Sequence, residues 1–158
     1  MRMLVVVAGL SACLALAGCE GAVSEAEATP PQAKKSLARP AQMYAGQEQI
    51  QSLQAGSVEL AEDGVLKLKV TGTTSSPGWT DTAFLPRIYA ASPPDGIYEV
   101  DVIATKPTQP TAQTPTPIEV AGAWDRYKDG RVKGVKFISK TNEIVAMAPS
   151  PAASSAAQ

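Results

Sequence analysis

The chain has 158 residues, no histidine, two cysteines and a formal charge of −1 at neutral pH. The absence of histidine removes Ser-His and Cys-His catalysis, imidazole metal sites and the ordinary proton shuttle. A balance of 14 basic against 15 acidic side chains argues against general nucleic-acid binding.

At the start of the chain, Arg2 is the only charge before Glu20, and residues 3–17 are an almost unbroken run of Leu, Val, Ala and Gly. A basic start, a short apolar core and small residues at its end predict a secretory signal peptide over 1–18. Fifteen helical residues would span only about 22 Å, against a hydrocarbon core of about 30 Å, so a permanent transmembrane helix is the weaker reading. The run ends in Leu16-Ala17-Gly18-Cys19, which resembles the lipobox of bacterial lipoproteins. That resemblance implies cleavage between Gly18 and Cys19, a diacylglyceryl thioether on Cys19 and acylation of its new amine, as by palmitate. Two or more acyl chains hold firmly to a membrane where one does not. An Asp directly after the lipidated cysteine resembles an inner-membrane retention signal. Glu20 stands there instead, so the expected location is the outer membrane, on its periplasmic side, rather than the inner membrane.

Cys13 would leave with the signal and Cys19 would be alkylated, so the mature chain is expected to hold neither free thiol nor disulfide. Thiol nucleophiles and zinc–thiolate clusters go with them. No phosphate-cradling glycine loop or dinucleotide fingerprint occurs. No cofactor and no metal are expected.

Residues 19–43 follow as lipidated cysteine and linker, rich in Ala, Glu, Pro, Gln and Lys. So few large apolar side chains cannot offset ordering entropy, and the stretch reads as a flexible tether. Residues 149–158 read as a disordered tail. Between them, 44–148 is enough for one modest domain.

Period-two alternation governs that domain. In residues 65–70, Leu66, Leu68 and Val70 oppose Lys67 and Lys69; in 97–102, Tyr98, Val100 and Val102 oppose Glu99 and Asp101. Further strands are expected at 50–54, 57–61, 86–91, 118–125, 132–139 and 143–148. Asp-Gly at 63–64, 95–96 and 129–130 suits tight hairpin turns, and Thr141-Asn142 is placed to close another. No sustained helical period follows residue 19. The expected fold is all-β: one small antiparallel β-sandwich, immunoglobulin-like in broad architecture, after a disordered tether.

The surviving chemistries are carboxylate catalysis, a Ser-Lys pair and oxygen-only metal sites. Asp81-Thr82-Ala83 is one copy of a triplet similar to that of aspartic proteases, whose dyad needs two. Glu99 and Asp101 share a strand face and are expected to meet water or to pair with Lys67 and Lys69.

Three stretches suit recognition. Residues 72–87, read as a strand-joining loop, carry Trp79 and Phe84, two of few aromatics. Residues 106–118 hold four prolines and repeated threonines, suiting an extended crossover between sheets. Residues 126–140 carry Arg126, Lys128, Arg131, Lys133, Lys136 and Lys140 against Asp129 alone. Lysines on an exposed strand block edge pairing, and the same charges suit an anionic partner. The expected function is that of a non-enzymatic cell-envelope lipoprotein. Its β-domain would bind an envelope protein or peptidoglycan, with Trp79, Phe84, Arg126, Lys128, Arg131 and Lys133 as candidate contacts. The alternatives are a periplasmic inhibitor or accessory subunit of an envelope enzyme and, less favoured, a carboxylate-based hydrolase.

Overall fold

The computed structural model describes residues 36–125 and 128–149. Gly18, Cys19, Arg126 and the tail beyond Pro149 lie outside the described residues. Among the described residues eight strands run in chain order: β1 (Gln47–Gln49), β2 (Ser52–Leu60), β3 (Leu66–Thr74), β4 (Thr80–Pro86), β5 (Ile97–Thr105), β6 (Thr116–Trp124), β7 (Gly134–Ile138) and β8 (Glu143–Met147). They form two sheets and an all-β fold.

One sheet is β2-β3-β6, antiparallel throughout. The other is organised around β5. Strand β4 pairs along one edge of β5, from Thr80↔Thr105 to Pro86↔Val100. Two strands share the opposite edge: β1 pairs antiparallel with residues 103–105, and β7 pairs parallel with residues 97–101. Strand β8 completes the sheet against β7. The β5–β7 pairing departs from the purely antiparallel expectation, and two connections through the other sheet make it possible.

The sheets meet through the alternation read in the sequence. Leu66, Leu68 and Val70 of β3 face Tyr98, Val100 and Val102 of β5, all buried in one cluster with Val120, Val135 and Phe137. Glycines mark the closest approaches. A β-carbon on Gly56 would come within 2.9 Å of the Phe137 ring, and one on Gly122 within 2.9 Å of Phe84. Losing a fully buried ring such as Phe137 would cost about 3–5 kcal/mol.

The expected strand boundaries need two corrections. Residues 50–54 and 57–61 join into the single strand β2, bent by a bulge at Leu53–Ala55. Asn142, in the β7–β8 turn, serves that bulge: its side chain accepts from the Leu53 N–H at 2.8 Å and donates to the Leu53 carbonyl at 2.9 Å. The strand expected at 86–91 is instead β4, ending at Pro86. Its period is hidden by a bulge between Thr80 and Ala83, where Asp81 takes a positive φ of 47°.

Of the three Asp-Gly pairs only Asp63-Gly64 closes a hairpin, between β2 and β3. Asp95-Gly96 ends the longer β4–β5 connection, and Asp129-Gly130 lies on the crossing from β6 to β7. All three nevertheless use the same local chemistry. The glycine takes positive φ, and the aspartate carboxylate accepts the N–H two residues on, at Val65, Ile97 and Arg131. Thr141-Asn142 does close the β7–β8 hairpin.

Candidate recognition site

Strand β5 is buried on both faces, so Glu99 and Asp101 are 5% and 1% exposed. They neither meet water nor touch Lys67 and Lys69, because β3 belongs to the other sheet; Lys69 instead pairs with Glu119 across β3–β6 at 3.1 Å. The Arg87 guanidinium grips both oxygens of Asp101, at 3.0 and 3.1 Å, and reaches Glu99 at 3.3 Å. Lys136, from the parallel neighbour β7, meets Glu99 at 2.9 Å. Gln49 donates to Asp101 at 2.7 Å and the Ser36 hydroxyl to Glu99 at 2.6 Å. Backbone bonds between Arg39 and Ile88 hold the Ser36 segment beside them.

Burial pushes the Glu99 carboxyl up, but the Ser36 hydroxyl and Lys136 ammonium outweigh it and hold it below the ordinary glutamate value. An ionised, enclosed and fully paired carboxylate is poorly suited to exchanging protons with a substrate. This cluster is a structural lock on the outer face of β5.

The open polar site lies at the end of the sandwich where β3 and β5 finish. There the Trp79 turn and the proline-rich crossover, two of the stretches singled out in the sequence, come together. The turn is short, only residues 75–79, because β3 and β4 both extend into the expected loop. It is braced from within: Thr74 donates its hydroxyl to the Ser76 carbonyl at 2.9 Å, and the Trp79 indole N–H donates to the Ser76 hydroxyl at 3.2 Å. Trp79 is half-buried and packs against the core.

The crossover, residues 106–115, leads from β5 to β6 and forms the opposite wall. Between the walls is a cleft of about 370 Å³, lined by Trp79, Ser75, Glu48, Lys106, Gln109 and Gln113 among others. Glu48 is clamped by Lys106 at 2.6 Å and Lys140 at 2.5 Å. These contacts, Lys106 first, hold its carboxyl down at about 2. Lys140 also sits 5.9 Å from the centre of the Trp79 ring, within cation–π range. The cleft therefore offers an aromatic surface ringed by hydroxyls, amides and a fixed charge chain. Such a set suits the binding and orientation of a polar ligand; a carboxyl held down by two lysines is ionised at neutral pH and is no proton donor.

The other candidates separate. Phe84 is on β4, not in a loop, and its ring packs inward against Phe137 at 5.6 Å, so it serves the core. Arg131 is tied to Asp129 at 2.5 Å. Lys128 and Lys133 lie at the opposite end of the sandwich from Trp79. Val135 and Phe137 of β7 are wholly buried, whereas Lys133, which period two puts on their side, stands exposed ahead of the strand. Sequence reasoning missed Arg87 and Glu48. Neither carries a local signal, because each gains its partners from strands distant in the chain.

No family model, curated protein or solved structure matches this chain.

Proposed function

We propose that this chain is a non-enzymatic, lipid-anchored envelope protein whose β-sandwich binds a cell-wall component through the Trp79 cleft. The anchor in this reading is the lipobox cysteine, Cys19, and the location the periplasmic side of the outer membrane. The observation that carries the binding reading is the braced Trp79 beside hydroxyls and amides on a rigid sandwich end. An aromatic face with surrounding hydrogen-bonding side chains suits the alternating apolar and hydroxylated faces of a sugar ring. Peptidoglycan is the envelope polymer that offers such rings.

The test is co-sedimentation of the full chain with purified peptidoglycan sacculi. The expected result is saturable binding, lost about tenfold or more in Trp79→Ala, whose thermal unfolding must remain cooperative for the comparison to stand. Unchanged pelleting by Trp79→Ala would remove the cleft from the reading. The anchor is tested separately: incorporation of radiolabelled palmitate, and its loss together with release from the membrane fraction in Cys19→Ser.

A further inference from the structure

At the end of the sandwich away from Trp79, the β2–β3 turn, the approach to β7 and the end of β8 enclose a groove of about 600 Å³. Its apolar lining includes Leu60, Leu66, Val132 and Met147. Leu66 and Val132 are buried and make a floor, while Leu60 and Met147 remain 39% and 61% exposed. Large apolar side chains left open around a concavity are unlike a satisfied core edge. The volume lies within the range of about 300–1,000 Å³ typical of small-molecule sites.

Lys128 and Lys133 also line this groove. Among the described residues, neither has a carboxylate within ion-pair distance, whereas Lys69, Lys106, Lys136 and Lys140 all do. The one acidic side chain in the lining, Asp129, is already held by Arg131 at 2.5 Å. The groove thus joins an apolar floor to two uncompensated ammonium groups.

We propose that this groove binds a single-chain amphiphilic anion, a fatty carboxylate of medium chain length. The tail would displace water from Leu60, Leu66, Val132 and Met147, and the head group would meet Lys128 and Lys133. A bare phosphate or an acidic peptide answers only the lysines and leaves the apolar floor wet. A neutral alkyl chain answers only the floor. The fatty carboxylate is the ligand class that satisfies both halves. The site is separate from the Trp79 cleft and stands or falls independently of it.

The probe is dodecanoate carrying a ¹³C carboxyl, titrated into the full chain below its micelle concentration and followed by the carboxyl NMR shift. Saturable one-site binding is expected, weakened about tenfold in Lys128→Gln/Lys133→Gln, the scale of two solvent-exposed ion pairs. Dodecanol should bind about tenfold more weakly than dodecanoate, and Met147→Gln should weaken both. Trp79→Ala should bind dodecanoate as the unaltered chain does. The proposal is overturned if dodecanoate shows no saturation up to millimolar concentration. Equal binding of dodecyltrimethylammonium, or of acetate, would overturn it equally, as would unaltered affinity in the folded double-lysine variant.

Discussion

Among the described residues, Arg87 is the only guanidinium facing two carboxylates on the buried outer side of β5, and Arg87→Met removes it while keeping most of its apolar bulk. The structure sets the size of the effect. Asp101 is 1% exposed and would lose two hydrogen bonds, at 3.0 and 3.1 Å, keeping only Gln49. Glu99 would lose a weaker contact at 3.3 Å and keep Lys136 and Ser36. Stripping one partner from a buried ion pair costs about 3–5 kcal/mol, because the remaining charge is left uncompensated. Since Glu99 retains its other partners, the lower end applies, about 3 kcal/mol. That is a large share of the 5–15 kcal/mol by which a domain is usually stable. Urea unfolding followed by tryptophan fluorescence measures it directly. The double variant Arg87→Met/Asp101→Leu removes both charges and should recover at least about 1–2 kcal/mol relative to the sum of the single changes. The loss in Arg87→Met should persist in 0.5 M salt, since a buried pair is poorly screened. A loss below about 1 kcal/mol, or strict additivity in the double variant, would refute the idea that β5 depends on charge compensation.

The Glu48 carboxyl, held down at about 2 against an ordinary 4.5, favours the folded state when ionised. Its contribution is therefore present above pH 4.5 and lost as pH falls from 4.5 towards 2. Because the side chain is 35% exposed and its lysine partners are more so, solvent screening limits the effect to about 1 kcal/mol or less. Thermal unfolding between pH 6 and 2.5 should show a shallower acid decline in Glu48→Gln, and an identical decline would remove Glu48 from the account. Asn142→Ala leaves the Leu53 N–H and carbonyl at the β2 bulge without their side-chain partner. A loss of about 2 kcal/mol is expected, with faster hydrogen exchange at the Leu53 amide; unchanged exchange at an unchanged midpoint would remove Asn142 from the account of the bulge.

The strands that alternate without interruption were legible from the sequence. Leu66-Lys67-Leu68-Lys69-Val70 names both the strand and its buried face, and the structure buries those three apolar side chains. Strand β4 was not legible, because its bulge at Asp81 shifts the phase of Thr80-Asp81-Thr82-Ala83 and destroys the alternation. Period two also misleads at Glu99 and Asp101. It identifies correctly that they oppose the core face, but not that Arg87, Lys136 and the Ser36 segment cover the other side. The Trp79 cleft was half legible. Its turn and its crossover each stood out by composition, and only the common end of β3 and β5 brings them together.

The parallel pairing of β5 with β7 constrains the order in which the molecule can assemble. Strands β2 and β3 are joined by a tight turn and can pair as soon as both exist. The sheet around β5 waits: Gln47 must find Thr105, and Ile97 must find Gly134, over long stretches of intervening chain. Closure of such distant loops before any reward slows folding. A chain emerging from its N terminus therefore carries an incomplete sheet, with residues 97–101 on the shared edge of β5 unpaired, until residues 134–138 have appeared. Assembly becomes an event of the last third of the chain, and a truncation before β7 should yield a species competent to form the β2–β3 hairpin but prone to self-association through the open β5 edge.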